Sequence, residues 1–410
     1  MDRPKIIKSE DTAAYSTVCD MTVTGEGGGE YTMPDYFPEI RKVISVSAQA
    51  LPDSKFISGD MPEFGGTLAF TVLYIGDDGA LVSVPYACDY SQSARLPETP
   101  EGSADIFCDT LAEAPQCRVM APRRISLRAR LRSRICLDRE RSFHVDITDT
   151  EENTASASDI RRIEKLSCTY PTVRRGRGSA TANVSGEIRE KAGTKPVMCE
   201  SSVNIGEASA AKDSISVRGE VCVRCLALGA DGLYTIVRAK LPFEEKIPAD
   251  GCSDADTAIA WGRAASVSVS ADEGDTGLLK IDAEYDLDGE WFSVSKASAV
   301  CDMYSTECEM ETRRESREIN SLAAAAVSQL SVSGSSQRKA GGGRDDYIIS
   351  VCAVPNFEKA ECASGKTLFT GNCAFRVFIA SGGDVVTEEY SVPLKFETGC
   401  RIEGVQDVPA

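Results

Sequence analysis

The chain has 410 residues, a net charge of −18 at pH 7 and a pI near 4.7. This acidic balance argues against general nucleic-acid binding and favours a soluble, self-repelling surface. No apolar window of about 18 residues occurs and no secretory signal precedes residue 20, so neither membrane insertion nor export is predicted.

Sixteen cysteines are present, fewer than a disulfide scaffold of this length would need. Because no export signal is seen, we interpret them mostly as buried thiols in a reducing compartment. The residues leave open whether any of them crosslink.

The pattern of the N-terminal residues predicts a turn that leads into the first strand of a sheet. Residues 1–20 are typical of a loose arm or a leading strand. Pro34 and Pro38 forbid a regular strand and favour a fixed turn, or a short helical turn over Glu39–Val43. A strand is then predicted to begin at Ile44.

A β-hairpin follows at Gly66–Tyr90, which we call copy one. Apolar residues recur at every second position from Leu68 to Tyr74, the period of a strand. Asp78-Gly79 supplies the positive-φ residue that a tight hairpin turn needs, and a return strand begins at Leu81. Two strands alone are marginally stable, so the hairpin is predicted to belong to a larger sheet.

The hairpin pattern recurs twice. Copy two, Gly219–Phe243, aligns with copy one without a gap, and copy three, Gly371–Leu394, is looser, with Gly382-Gly383 at its turn. A recurrence at roughly 150 residues is too long for a solenoid and indicates tandem domains. We therefore predict an all-β chain of tandem β-sandwich-like domains with little helix. The predicted divisions are a first domain with its N-terminal arm (1–150), a linker (151–165), a second domain (166–314), a short helix and Gly/Ser linker (315–344) and a partial third domain (345–410).

A basic stretch lies in the first domain. After a predicted acidic, Pro-rich loop at 97–117, residues 118–134 hold seven arginines and no acid. From Ile125 onward apolar residues alternate with arginines, which predicts a strand with one buried face and one arginine face. The alternatives are a solvated sheet face or charged edge, a docking surface for an acidic partner or a second copy of the chain, and, least favoured, a nucleic-acid contact. The arginines concerned are Arg128, Arg130, Arg132 and Arg134.

No residue pattern selects a catalytic, metal or cofactor site. His144 is the single histidine, and a lone histidine on a strand is usually structural. Cys222 and Cys225 form a CxxC, but at strand spacing they point to opposite faces and cannot close on one zinc ion. The Arg-Gly run at 174–178 is interpreted as a loop rather than an RNA contact. Trp261 and Trp291 are expected in the core, and no catalytic residue or cofactor is predicted.

The order of these motifs resembles the SPOCS domain family. The run from Met33 to Ile40 reads MPDYFPEI, close to that family's Pro-Asp-Tyr-x-Pro-Asp-Ile segment with Glu39 in place of Asp. Leu73-Tyr74 and Pro242-Phe243 match its Leu-Tyr strand and Pro-Phe strand end. The chain departs from the pattern at Leu226-Ala227 and Asp89-Tyr90, and no LysM module is identified. The repeat-signature residues are Pro34, Asp35, Tyr36, Pro38, Ile40, Gly66, Leu73, Tyr74, Gly79, Gly219, Leu226, Gly232, Pro242, Phe243, Gly371 and Pro393.

The resemblance implies a function. The family occurs in spore-coat-associated proteins of sporulating bacteria, so it implies a non-enzymatic structural or adaptor protein of coat or envelope assembly. Its place would be the mother-cell cytoplasm, at the developing spore surface, and its partners other coat or morphogenetic proteins or itself. The alternative is a ligand-binding, carbohydrate-binding or hydrolytic β-sandwich, because a fold does not fix function. Aromatic platforms or paired carboxylates in a concave site would favour this alternative over the structural role.

Overall fold

The computed structural model describes residues 5–58, 60–96, 105–149, 163–272, 274, 277–305, 327, 330–335, 337, 346–363, 366–381 and 384–399. Side chains are described in most of these, the exceptions including 5–15, 53–58, 140–149 and 163–171. The described residues form fifteen strands in five three-stranded antiparallel sheets and contain no helix. The all-β prediction is therefore confirmed.

The first six strands build a β-sandwich. They are β1 (Lys5–Thr32), β2 (Ile40–Ser58), β3 (Met61–Gly76), β4 (Leu81–Ser93), β5 (Asp105–Ala121) and β6 (Arg124–Asp149). Copy one of the hairpin supplies the sheet β2-β3-β4, and the sheet β1-β6-β5 covers one of its faces. Leu68 and Phe70 of β3 pack there on Leu127 and Leu131 of β6, all within 1% of complete burial.

The next six strands repeat this topology. They are β7 (Ile163–Arg189), β8 (Lys195–Ala211), β9 (Ser214–Leu228), β10 (Tyr234–Pro248), β11 (Thr257–Ala271) and β12 (Leu278–Ser305). The sheet β8-β9-β10 carries copy two, and β7-β12-β11 packs on it. In both sandwiches the first strand pairs with the sixth, so each covering sheet joins the two ends of its own domain.

Copy three forms a single described sheet. Its strands are β13 (Tyr347–Ala363), β14 (Lys366–Ser381) and β15 (Asp384–Gly399), in the order β13-β14-β15. This order matches β2-β3-β4 and β8-β9-β10. The predicted helix and linker at 315–344 lie mostly outside the described residues; those described there, Val327 among them, are irregular.

The hairpin turns confirm the predicted chemistry. Gly79 and Gly232 have φ angles of 83° and 77°, which glycine adopts without strain. In copy one the N–H of Gly76 donates to the carbonyl of Ala80 at 2.8 Å, and copy two repeats the same bond between its own equivalents. The Gly382-Gly383 turn of copy three lies outside the described residues.

The segment between β1 and β2 is a fixed turn, and the alternative of a helical turn is wrong. The N–H of Phe37 donates to the carbonyl of Pro34 at 3.1 Å, and β2 begins directly at Ile40. Arg123 donates to the carbonyl of Phe37 at 2.7 Å. The two prolines therefore shape the crossing between the two sheets of the first sandwich.

Two predicted loops are strands. The stretch predicted as a loop at 97–117 contains β5 from Asp105 onward, because alternating side chains such as Ile106 and Thr110 are buried, at 7% and 2% exposed. The Arg-Gly run at 174–178 lies inside β7. A side chain at Gly176 would meet the indole of Trp291 at 2.5 Å, so this glycine marks close packing rather than a loop.

The three hairpin sheets meet in one shared core. Leu73, Leu226 and Phe378 each lie seven residues after the leading glycine of their copy, and each is 2–3% exposed. They belong to one apolar cluster. The cluster also contains three residues that each lie 22 positions before that glycine, Ile44, Val197 and Ile349.

Polar contacts close these sheets into a ring. Lys42 of copy one donates to the carbonyl of Val385 in copy three at 2.9 Å. The hydroxyl of Tyr347 in copy three accepts the N–H of Tyr234 in copy two at 3.2 Å. The hydroxyl of Tyr234 in turn accepts the N–H of Leu81 in copy one at 3.3 Å. The three copies therefore have an approximate three-fold arrangement.

Candidate interaction surfaces

The arginine stretch forms the solvent face of a central strand. Arg128, Arg130, Arg132 and Arg134 are exposed on β6, whereas the alternating residues from Ile125 to Leu131 are at most 2% exposed. The predicted one-sided strand is confirmed. The alternative of a charged edge is wrong, because β6 pairs with β1 on one side and β5 on the other.

Acidic residues on the neighbouring strands pair with most of these arginines. Glu113 of β5 lies 2.8 Å from both Arg130 and Arg132. Arg134 pairs with Asp20 of β1 at 2.6 Å, and this guanidinium holds the pKa of Asp20 below its usual value. Arg128 makes no ion pair with the residues whose side chains are described. The face is therefore an array of alternating charges in which Arg128 has no acidic partner among the described side chains.

The third sheet has an apolar face without a covering sheet in the described part of the chain. Val377 occupies the position of the buried Val72 of copy one, and Phe375 that of Phe70, yet both are only half-buried. Ile348 on the adjacent strand is 62% exposed. In the two sandwiches the equivalent face is covered by three strands.

A groove of about 1040 Å³ runs along this face. Its walls include Ile348, Phe375, Val377 and Ile379, and the described residues Gly334 and Ser335 lie at one side. Farther along the same face the rings of Phe357, Phe369 and Phe396 form a cluster, with Phe369 and Phe396 stacked at 4.9 Å. The face is aliphatic at one end and aromatic at the other.

A buried charge cluster joins the two sandwiches. Arg175 and Arg177 of β7 pair with Asp138 of β6, and Arg177 also pairs with Glu290; these side chains are 8–11% exposed. The guanidinium of Arg177 lies over the ring of Phe107, 4.8 Å from its centre. Sequence reasoning missed this cluster because it placed the arginines in a loop. The period-2 spacing of Arg175 and Arg177 was the available signal.

Both tryptophans and two cleft aspartates, which could belong to a sugar site or a catalytic site, make contacts within the protein. Trp291 is 1% exposed, and Trp261 packs edge-on against Phe107. A cleft of about 390 Å³ between the sandwiches contains Asp109 and Asp286. Asp109 is ion-paired and Asp286 accepts a hydrogen bond from a threonine. His144 lies on β6, and its side chain is outside the described residues.

The signature residues divide into buried and exposed groups. Tyr74 is fully buried and donates to the carbonyl of Pro38 at 3.0 Å. A side chain at Gly219 would meet the ring of Phe243 at 2.7 Å. Pro242 and Pro393 lie on edge strands, where the missing N–H costs no ladder bond. Asp35 and Tyr36 are exposed, with Tyr36 at 80%.

Comparison with known protein families, with curated proteins and with solved structures gave no match to this chain. Within the described residues, the structure offers no helix that could cross a membrane.

Proposed function

We propose that this chain is a non-enzymatic structural protein that assembles with a second copy of itself through the face of its third sheet that no described strand covers. The supporting observation is internal to the chain. The same hairpin sheet occurs three times, and twice its apolar face is covered by a three-stranded sheet. The third face has the same alternation of apolar residues, so another sheet is the occupant that its shape fits.

The size of the face agrees with a stable dimer. A 16-residue strand such as β14 spans ~50 Å, and three strands give a width of ~14 Å. One face therefore offers ~700 Å², and two copies would bury ~1,400 Å², within the usual range of ~1,200–2,000 Å² for specific interfaces.

The chemistry of the third face is compatible with a second copy as its occupant. The chain is strongly acidic, so two copies repel each other overall, and an uncharged face is where they approach with the least repulsion. On the third face the inward side chains of the central strand β14 from Cys373 to Ile379 carry no charge. Two such faces related by a two-fold axis present the same patch to each other, as symmetric dimers require.

The resemblance to the SPOCS family supplies the biological setting. If the resemblance holds, this assembly would belong to the spore coat or envelope, on the mother-cell side of the developing spore, with other coat or morphogenetic proteins as additional partners. The arginine face of β6, on which Arg128 has no ion pair with any described side chain, is the second surface in this proposal and would dock an acidic partner.

Sedimentation equilibrium of the full chain from about 1 to 100 μM tests the proposal. The expected result is a reversible dimer whose dissociation constant rises at least tenfold in Ile348→Glu, because a charge would be buried against an apolar sheet. The matched control is Val354→Glu. Val354 is on the same strand and 58% exposed, but belongs to the opposite face, opposite Ala374.

Two results contradict the proposal. One is a folded chain that stays monomeric at 100 μM. The other is a dimer that Val354→Glu weakens as much as Ile348→Glu. Circular dichroism of each variant checks that the strand content is retained, and both sites are exposed enough for the fold to tolerate a glutamate.

A further inference from the structure

Two cysteines face each other across the centre of the copy-two sheet. Cys199 of β8 and Cys225 of β9 are register partners, and their Sγ atoms lie 3.0 Å apart. Among the described strand pairs this is the only place where two cysteines are directly opposed. Both are reduced in this structure.

In the other two copies, valines stand at the positions equivalent to Cys199 and Cys225. Cys225 lies six residues after the leading glycine of its copy, and the residues at that position in copies one and three are Val72 and Val377. Their register partners are Val46 and Val351. A valine pair therefore satisfies the fold twice, and copy two has cysteine at both positions of the pair.

The backbone geometry suits a covalent bond. Directly opposed residues of antiparallel strands have Cα atoms about 4.5–5.5 Å apart. A disulfide needs a Cα separation of about 4.4–6.8 Å. No movement of β8 relative to β9 is needed to close the pair.

The two thiols differ in access and acidity. Cys225 is 1% exposed in an apolar cluster with Val237 and Leu279, whereas Cys199 is only partly buried. The hydrogen bond from Cys199 lowers the pKa of the Cys225 thiol and raises the pKa of Cys199. An external reagent reaches Cys199 first, and Cys225 is the better internal nucleophile.

We propose that Cys199 and Cys225 form a reversible cross-strand disulfide by exchange with a small-molecule disulfide. Cys199, the accessible thiol, loses its proton to solvent and attacks one sulfur of the reagent, forming a mixed disulfide and releasing one thiol. Because the pKa of Cys199 is raised, this first step is the slow one. Cys225 then attacks the Sγ of Cys199, closing the protein disulfide and releasing the second thiol. The two cysteines are oxidised, the reagent disulfide is reduced to two thiols, and the two cysteine protons pass to those thiols.

The bond would join two strands that already contribute to the shared core. Leu226, next to Cys225, packs in the cluster where the three hairpin sheets meet. Oxidation would therefore link β8 to β9 beside the ring contact and stabilise copy two without altering the other copies. The nearby Cys222 cannot substitute, because it lies on the opposite face near Glu220.

Treatment of the full chain with 2-hydroxyethyl disulfide, followed by alkylation and tryptic mass spectrometry, tests the proposal. Cleavage after Arg224 separates Cys222 from Cys225, so the linkage can be assigned. The expected product is a peptide with Cys199 linked to Cys225, which dithiothreitol removes. Oxidised protein should unfold at a higher urea concentration than reduced protein.

The double variant Cys199→Val with Cys225→Val reproduces the pair of the other copies and should fold. Its urea midpoint should not change with the oxidant, whereas Cys222→Val should keep the oxidant-dependent increase. A mixed disulfide that persists on Cys199 without closure would overturn the proposal. Failure of the linked peptide to form while other cysteines react would overturn it as well.

Discussion

The hydroxyl of Tyr234 accepts a hydrogen bond from the backbone N–H of Leu81, 3.3 Å away and 153 residues earlier in the chain. The backbone N–H of Tyr234 itself donates to the hydroxyl of Tyr347. Leu81 and Tyr234 are equivalent residues of copies one and two, each at the start of the third strand of its sheet. One tyrosine thus connects all three copies at the same structural position.

Tyr234→Phe should lower the free energy of unfolding by about 1–2 kcal/mol, because it leaves the part-buried N–H of Leu81 without its acceptor. Urea denaturation followed by tryptophan fluorescence measures this change. Tyr36→Phe removes the same hydroxyl from an exposed ring and should change stability by less than about 0.5 kcal/mol. Equal effects of the two variants would show that the ring contact contributes nothing.

Alkaline pH should destabilise the fold through two buried phenols. Burial raises the pKa of Tyr74 and of Tyr285 to about 12, from an ordinary value of 10. A raised pKa in the folded state means that the stabilisation is complete below pH 10 and is lost as the pH rises to 12. The loss is of the order of 2–3 kcal/mol for each phenol.

Spectrophotometric titration at 295 nm checks this prediction. Tyr74 and Tyr285 should contribute two ionisations near pH 12. In Tyr74→Phe one of these late transitions should disappear. Ionisation of all tyrosines near pH 10 in a chain that remains folded would contradict the buried placement.

The arginine face should matter for association rather than for folding. Changing Arg128, Arg130 and Arg132 together to serine removes exposed ion pairs, each worth about 0.2–1 kcal/mol, so the fold should be retained. Capture of an acidic partner in a low-salt pull-down should weaken. Unchanged capture would show that this face is only a solvated sheet surface. Lys366→Ser, which breaks an exposed pair on the third sheet, is the control.

The local patterns of the sequence predicted the hairpins. They could not predict which distant strands pair with one another in the sheets. The alternation from Ile125 showed which face of β6 is buried, because the period of a strand is local. The same alternation could not show that Glu113 and Asp20 would lie beside the arginines, since that depends on which strands become neighbours. The opposition of Cys199 and Cys225 depends on register in the same way.

The charge cluster between the sandwiches shows a different limit. Arg175 and Arg177 flank a glycine, a composition typical of loops. Their pairing with β12, the approach of Trp291 to Gly176 and the carboxylate of Asp138 explain why these residues form a strand. When a side chain is paired with a residue of the preceding domain, its own segment shows only the period-2 spacing and does not identify the partner.

The contact of Lys42 with Val385 joins the first hairpin sheet to the last. With this contact, each of the three hairpin sheets touches both of the others around the shared core. The ring that they form is closed. A further hairpin sheet of the same kind would have to pack outside this core. Closure of the ring thus limits how many hairpin sheets can share one core, whatever the length of the chain.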